Sequence, residues 1–274
     1  MSFIVLITEL SKLVFAYVWC INDNEIGKDG IKIFDEFDDM HFILLALVYF
    51  LQNNLTFICM KYFSAAAYHL LLTIRIIPIA LLSIIFLKST LTQLKWCAII
   101  LLAIGTYQYN LASTVDQSPD KFKTSLIGLF FMASMVLSAS LSSVYNQWVM
   151  QRDMEQNVML QNVKLYIGGV MFNTISWMFA DAQASSRAGL GILAVFQPSV
   201  LFLILLFVFH GLVVSVIIKK FGAIIRTIIG TLSIIVTAFV EYFLFGDVVW
   251  DSWSITSSLI MLMAVHIYSN IKEA

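Results

Sequence analysis

Apolar runs long enough to cross a lipid bilayer recur along almost the whole chain, with short polar breaks between them. A helix needs about 20 apolar residues to span the hydrocarbon core. The runs cover residues 2–22, 40–60, 64–87, 93–112, 125–150, 158–180, 193–218, 222–245 and 252–271. They predict an all-α membrane protein, a polytopic helical bundle of about nine transmembrane helices.

Composition supports lipid as the main solvent. Hydrophobic residues make up 60% of the chain and charged residues 12%, whereas about a quarter of the residues in a soluble domain are charged. The net charge of -1 argues against nucleic acid as a partner. Only three prolines occur, so no proline-rich linker separates an appended domain. We therefore predict a single transmembrane domain over residues 1–274.

Two polar features near the start of the chain have alternative interpretations. The first run lacks a basic leader and carries Glu9 and Lys12, so it is expected to be a retained helix and not a signal peptide. The break at 23–39 is rich in Asp and Glu. It is expected to be a solvated loop, with metal binding as the weaker alternative.

The distribution of Lys and Arg predicts the orientation. The breaks after the odd-numbered runs hold eight Lys and Arg residues, Lys219 and Lys220 among them, and the other side holds four. Because cytosolic loops are enriched in these residues, the C-terminus is expected in the cytosol. The N-terminus is then expected on the opposite side.

A faint internal repeat relates the two parts of the chain. Phe86-Leu87-Lys88 and Phe245-Gly246-Asp247 each end a run, and each is followed, after a short polar turn, by a helix that opens at a Trp. Superposing these turns pairs the first four runs with the last four and leaves the fifth run without a partner. The chain then divides into a first half-repeat of four helices, 1–112, and a second of five, 125–271. Corresponding helices of the two repeats are an odd number of crossings apart, so the repeats have opposite orientations in the membrane, as in inverted-repeat transporters. Chance similarity of short apolar strings is the alternative.

Charged side chains at bilayer depth need a partner or a wet cavity. Glu9 and Lys12 are three residues apart on one helix face and are able to neutralise each other. A structural role for this couple and a functional one are equally open. Arg75 lies about two turns from Tyr68, so both are expected on one face.

Further polar candidates lie in the second part of the chain. Asn162 and Tyr166 are four residues apart and share a helix face. Lys164 points elsewhere and is expected to snorkel to the interface, although a lining role is the alternative. Arg226 is expected to line a cavity, with an interfacial anchor as the alternative.

These side chains predict the chemistry of a ligand. Guanidinium groups bind phosphate bidentately, and tyrosine and asparagine suit a base and a ribose. A transported phosphate-bearing anion fits this set. The chain contains no HExxH, GxSxG, P-loop or paired-carboxylate motif. We therefore expect no enzyme activity, no cofactor and no metal.

Several strings, in order, resemble the nucleotide-sugar transporter family of the Golgi and endoplasmic reticulum. They are Thr8-Glu9-Leu10-Ser11-Lys12-Leu13, Gln52-Asn53-Asn54-Leu55-Thr56-Phe57, Ala66-Ala67-Tyr68, Thr90-Leu91 through Trp96, and Leu160-Gln161-Asn162-Val163-Lys164-Leu165-Tyr166. The stretch from Tyr145 to Asn173 is most similar to the less characterised branch of UDP-sugar transporters.

The resemblance implies a drug/metabolite-transporter-like inverted repeat with a central cavity and alternating access. It also implies exchange of a cytosolic nucleotide sugar for a lumenal nucleoside monophosphate. The family's nucleotide contacts are matched by Asn162, Tyr166 and Tyr68, and its phosphate-side lysine by Arg226. With Arg75 from the residue pattern, these five are the predicted substrate-binding residues.

Three departures from the family pattern are present. The family's first helix is expected to be absent, the Tyr-x-Glu-Lys string reads Tyr145-Asn146-Gln147-Trp148, and a lysine near the base reads Gln93. The predicted function is a UDP-sugar/UMP antiporter of the Golgi membrane, or of the endoplasmic reticulum membrane. The alternative is a transport-inactive scaffold that associates with other transporters or glycosyltransferases. Either prediction is compatible with assembly into a homo- or hetero-oligomer.

Overall fold

The computed structural model describes residues 2–23, 39–63, 65–115, 126–183, 196–244 and 252–270, and within these ranges the regular structure is entirely helical. The helices are α1 (Ser2–Asn22), α2 (Met40–Tyr62), α3 (Ala65–Leu72), α4 (Ile76–Leu87), α5 (Gln93–Val115), α6 (Leu126–Arg152), α7 (Val158–Gln183), α8 (Pro198–Leu244) and α9 (Ser252–Asn270). A 3-10 turn, Thr73–Arg75, joins α3 to α4. The prediction of an all-α polytopic membrane protein is confirmed.

Most of the predicted runs agree with these helices to within a few residues. Five helical stretches are long and apolar enough to cross a bilayer. They are Phe3–Asn22, Met40–Tyr62, Ala67–Leu87, Leu126–Arg152 and Pro198–Val240. Because this assignment covers only the described residues, nine crossings remain a prediction. The acidic residues 24–38 lie outside the described part of the chain.

The runs 193–218 and 222–245 are joined without an intervening loop. Helix α8 contains 47 residues, which would measure about 70 Å if straight, more than twice the thickness of the hydrocarbon core. The backbone turns at Gly222, where φ is 85° and ψ is 176°. Only glycine adopts this conformation readily. Each arm of α8 alone is long enough to span, and the arms meet at Gly222, beside the predicted break at 219–221, where the backbone turns without leaving a polar loop.

The run 64–87 is interrupted by the 3-10 turn Thr73–Arg75. Pro78 follows closely and has no N–H to donate to the carbonyl four residues earlier, which weakens the helix at this point. The Ser140 hydroxyl of α6 donates to the Arg75 carbonyl over 3.2 Å. This hydrogen bond attaches α6 to the 3-10 turn.

The chain folds into two compact units, each built from segments distant in sequence. Unit 1 comprises 1–51 and 145–220, and unit 2 comprises 52–144 and 221–274. In unit 1, α1 packs against α7, and in unit 2, α5 packs against α9. The half-repeat division into 1–112 and 125–271 remains a prediction.

Small residues allow the close helix contacts that membrane bundles use. In unit 1, a Cβ built on Gly168 of α7 would lie 2.7 Å from the Ala46 Cβ of α2. In unit 2, one built on Gly105 of α5 would lie 2.9 Å from the Met261 Cγ of α9. Neither site has room for a side chain, so packing fixes how α7 meets α2 and how α5 meets α9.

Candidate functional site

The α7 string contributes two buried polar side chains to unit 1. Asn162 is 0% exposed and Tyr166 is 4% exposed. They lie one helical turn apart, as their spacing predicts. In unit 1, a full turn of α7 therefore presents polar groups to other helices and not to lipid.

The Asn162 amide has no hydrogen-bond partner within the described part of the chain, at either its nitrogen or its oxygen. An unpaired buried amide is costly, and nearly all such groups in folded proteins have partners. The neighbouring Gln161 differs, because its amide nitrogen donates to the carbonyls of Met150 and Asp153. Gln161 therefore fixes the start of α7 on the end of α6, whereas Asn162 retains its full bonding capacity.

Tyr166 lies among groups from α1 and α8. The Lys12 ammonium is 5.7 Å from the centroid of its ring, a cation–π distance. Ser215 of α8, whose hydroxyl donates to the Gly211 carbonyl over 3.1 Å, lies near Tyr166. Gly211 makes this approach possible, because a Cβ there would lie 3.1 Å from Lys12 Cε and 3.4 Å from Tyr166 Oη.

Glu9 and Lys12 form the ion pair that their spacing predicts, with 2.8 Å between Nζ and Oε1. The sequence left a structural and a functional role equally open. In the structure, Lys12 faces a predicted ligand contact, and Glu9 lies against α7. A Cβ on Gly169 would be 3.0 Å from Glu9 Oε2. The pair is therefore part of the polar region around Tyr166.

Lys164 does not snorkel to the interface. It is 4% exposed, and its ammonium lies 2.5 Å from Oδ1 of Asp39, just before α2. The Phe42 ring also lies under the ammonium, 5.7 Å away. This cation is neutralised within unit 1, so it is not a free lining charge.

A second polar cluster in unit 1 joins α2 to α6. The Asn146 amide nitrogen donates to the Tyr49 hydroxyl over 2.9 Å. Tyr145 Oη and His41 Nδ1 are also 2.9 Å apart. Tyr49 packs against the hydrophobic cluster of unit 1 that contains Tyr166. Sequence reasoning missed Tyr49 and His41, although Tyr49 stands one turn before the Gln52-Asn53-Asn54 string.

Unit 2 holds Tyr68 in a separate hydrogen-bonded cluster. The buried Tyr68 hydroxyl lies 3.2 Å from Thr56 Oγ1. Ser142 of α6 donates to Gln52 Oε1 over 2.7 Å. The Gln52–Phe57 string thus contributes polar side chains to the contact between α2, α3 and α6. Arg75 lies half-buried in the 3-10 turn that follows α3.

Arg226 lies in the second arm of α8, in unit 2, and is half-buried. Among the described residues we find no hydrogen bond or ion pair to its guanidinium group. Its neighbour Thr227 bonds within the helix, to the Ala223 carbonyl. A half-buried guanidinium without a carboxylate suits an anionic ligand.

The five predicted substrate-binding residues therefore divide between the units. Asn162 and Tyr166 belong to unit 1, and Tyr68, Arg75 and Arg226 belong to unit 2. The structure brings Lys12, Tyr49 and Ser215 to Tyr166 in addition. That the five line a single cavity remains a prediction.

Comparison with known proteins is consistent with the resemblance. The nucleotide-sugar transporter family model matches residues 1–269. The CMP-sialic acid transporter 4 of Arabidopsis thaliana is 28% identical over 242 residues, which cover 86% of this chain and 65% of that protein. The chain thus spans slightly less than two thirds of this relative.

Two further relatives align over nearly the whole chain. The UDP-galactose transporter senju of Drosophila melanogaster is 23% identical over 97% of this chain and 77% of its own length. The human UDP-N-acetylglucosamine transporter is 23% identical over 96% and 83% respectively. By their names, these relatives carry different nucleotide sugars, so family membership does not identify the sugar.

Proposed function

The chain belongs to the nucleotide-sugar transporter family, and from this premise we propose that it exchanges a UDP-sugar for UMP across the Golgi membrane. The nucleotide sugar moves from cytosol to lumen by alternating access, and the nucleoside monophosphate returns. Alternating access requires a ligand site within the membrane that closes and opens to each side in turn.

The observation that carries the proposal is the unpartnered Asn162 amide, one turn from Tyr166. An amide with a free donor and a free acceptor is able to pair with the edge of a pyrimidine base. The neighbouring aromatic ring offers a stacking surface. Because the amide is closed off from solvent here, neighbouring side chains must move before a ligand reaches it.

The distribution of cations supports an anionic ligand. The Lys164 ammonium is paired with the Asp39 carboxylate, and the Lys12 ammonium is paired with the Glu9 carboxylate. The Arg226 guanidinium has no such carboxylate among the described residues. We assign it to the phosphates, which guanidinium groups bind bidentately.

We choose a uridine nucleotide on the resemblance of the Tyr145–Asn173 stretch to the UDP-sugar branch. Relatives named for UDP-galactose and UDP-N-acetylglucosamine transport support a nucleotide sugar of this kind. The plant CMP-sialic acid transporter is the reason that CMP-sialic acid is among the comparison substrates.

The test is exchange by purified protein in vesicles loaded with UMP. Labelled UDP-galactose and UDP-N-acetylglucosamine are supplied outside, with CMP-sialic acid and a GDP-sugar as comparison substrates. We expect uptake of at least one UDP-sugar, dependent on internal UMP. Absence of uptake for every UDP-, GDP- and CMP-sugar would refute the proposal.

A matched pair of variants links exchange to the site. Asn162→Ala removes the unpartnered amide and should abolish exchange. Asn173→Ala removes another buried amide of α7, one that bonds to the Gly169 carbonyl of its own helix, and should retain exchange. If nucleotides cause no thermal stabilisation of the wild-type protein, the scaffold alternative is favoured.

A further inference from the structure

Buried amide groups without partners are concentrated in one part of unit 1. Across the described residues, seven buried side-chain polar atoms have no hydrogen-bond partner. Four of them are amide atoms at the end of α6 and the start of α7, on Asn146, Gln161 and Asn162. The other three belong to serines, whose hydroxyls are able to rotate toward nearby backbone carbonyls. Amide groups on a fixed rotamer lack this freedom.

Asn146 is the member of this group that the predicted site does not include. It is 2% exposed, and its nitrogen is engaged by Tyr49 over 2.9 Å. Its oxygen accepts no hydrogen bond in the described part of the chain. The side-chain oxygen of Asn146 therefore lacks a hydrogen-bond donor.

The position of Asn146 connects it to the predicted ligand contacts. Its partner Tyr49 packs against the hydrophobic cluster of unit 1 that contains Tyr166, and Tyr166 shares a helix face with Asn162. The four side chains come from α2, α6 and α7 within the same unit. Through Tyr49, Asn146 therefore belongs to the same packed part of unit 1 as the predicted ligand contact Tyr166.

We propose that Asn146 is a further ligand-binding residue, whose side-chain oxygen accepts a hydrogen bond from the base or ribose of the bound nucleotide. This inference rests on the proposed function. Phosphate oxygens are excluded as the partner, because at neutral pH they are acceptors and carry no hydrogen to donate. The imide N–H of uracil and the ribose hydroxyls are the available donors. Asn146 belongs to the Tyr145–Trp148 string, which lacks the charges of the family pattern. It therefore contacts the neutral part of the ligand and not the phosphates.

The test measures binding of UMP analogues that each lack one donor, by the full chain in detergent. N3-methyl-UMP, 2′-deoxy-UMP and 3′-deoxy-UMP are compared with UMP on the wild type and on Asn146→Leu. We expect one analogue to bind the wild type about 10-fold more weakly than UMP, because it leaves a buried acceptor unpaired. The same analogue should bind Asn146→Leu less than about 2-fold more weakly than UMP does.

Two controls separate binding from folding. Asn173→Leu also removes a buried amide from unit 1, and it should keep the 10-fold discrimination of the wild type. The apo form of Asn146→Leu should unfold at the same temperature as the wild type or higher, since it no longer holds an unpaired oxygen. If Asn146→Leu yields no folded protein, Asn146→Ala supplies the same comparison.

The outcomes distinguish this inference from the proposed function. If wild type binds no UMP, both fail. If UMP binds but Asn146→Leu discriminates among the analogues as the wild type does, only the inference about Asn146 is refuted. An unfolding temperature lowered by Asn146→Leu, together with unchanged nucleotide binding, would assign Asn146 a purely structural hydrogen bond to Tyr49 and also refute it.

Discussion

The ammonium of Lys164 lies 2.5 Å from the carboxylate of Asp39, although 125 positions separate the two residues in sequence. Both side chains are largely buried in unit 1. Asp39 immediately precedes the first residue of α2, where the positive end of the helix dipole also favours a carboxylate. The pair therefore fixes α7 to the start of α2, on the side of α7 away from the Asn162 and Tyr166 face.

Breaking this pair should destabilise the protein more than removing it. Lys164→Met removes the cation beside a largely buried carboxylate and should lower the free energy of unfolding by about 3 kcal/mol. The double variant Asp39→Asn, Lys164→Met removes both charges and should recover most of that loss. Thermal unfolding of the purified protein in detergent measures both effects.

The control for the ion pair is Lys61→Met, which removes an exposed lysine at the end of α2. It should change the midpoint of unfolding little. A double variant no more stable than Lys164→Met would mean that the two charges act independently, contrary to this prediction.

Lys219 should stabilise the turn between α6 and α7. It is 3% exposed, and its ammonium donates to the carbonyls of Asp153, over 3.0 Å, and Gln156. Lys219→Met should therefore lower the free energy of unfolding by about 2 kcal/mol, because the carbonyls of Asp153 and Gln156 lose a charged donor. Cleavage by trypsin after the nearby Arg152 should become faster.

The adjacent lysine provides the comparison for Lys219. Lys220 is exposed, so Lys220→Met should leave both stability and the cleavage rate close to those of the wild type. Equal effects of the two substitutions would show that the charge near the end of this helical arm matters, and not the contacts of Lys219 with the turn.

Two glycine substitutions should act in opposite directions. A methyl group at Gly168 would lie 2.7 Å from the Ala46 Cβ, so Gly168→Ala should force α7 and α2 apart and destabilise unit 1 by about 1–3 kcal/mol. At Gly230 nothing lies within 4 Å of the added Cβ. Gly230→Ala should stabilise the helix by up to about 1 kcal/mol through its higher helix propensity. Thermal unfolding of the two variants measures the difference, and similar effects would contradict close packing at Gly168.

Helix positions were predictable because a membrane-spanning helix needs a long apolar run, and such runs are local in sequence. Run 2–22 coincides with α1. A break near Gly222 was predicted as well, but the buried position of Lys219 was not, because a Lys219-Lys220 pair resembles a polar loop when its contacts are unknown. The Lys219 side chain reaches carbonyls more than 60 residues earlier. No local pattern reveals that contact.

The same distinction applies to the candidate site. The shared face of Asn162 and Tyr166 follows from helix geometry alone, so spacing predicted it. The approach of Lys12 to Tyr166 depends on Gly211 in a third helix, and the bond from Asn146 to Tyr49 joins residues 97 positions apart. These contacts are products of tertiary packing. Lys164 was predicted at the membrane interface from its place in the sequence. It is buried instead, because Asp39, a carboxylate distant in sequence, pairs with it.

Arg226 tests the phosphate assignment of the proposed function. Because its guanidinium has no carboxylate partner among the described residues, Arg226→Ala leaves no unpaired acid behind. The midpoint of unfolding should therefore stay close to that of the wild type. Exchange of UDP-sugar for UMP should fall at least about 10-fold, since charged hydrogen bonds to phosphate contribute roughly 1.5–3 kcal/mol.

Arg226→Lys is the matched variant, because it keeps the charge but loses the bidentate geometry. It should retain more exchange than Arg226→Ala, and the difference should appear as a higher apparent affinity for UMP. Uridine carries no phosphate, so its binding should be the same in all three proteins. If Arg226→Ala transports like the wild type, or if it weakens uridine and UMP binding equally, Arg226 does not contact the phosphate. A neutral part of the ligand, or the lipid interface, would then be its environment.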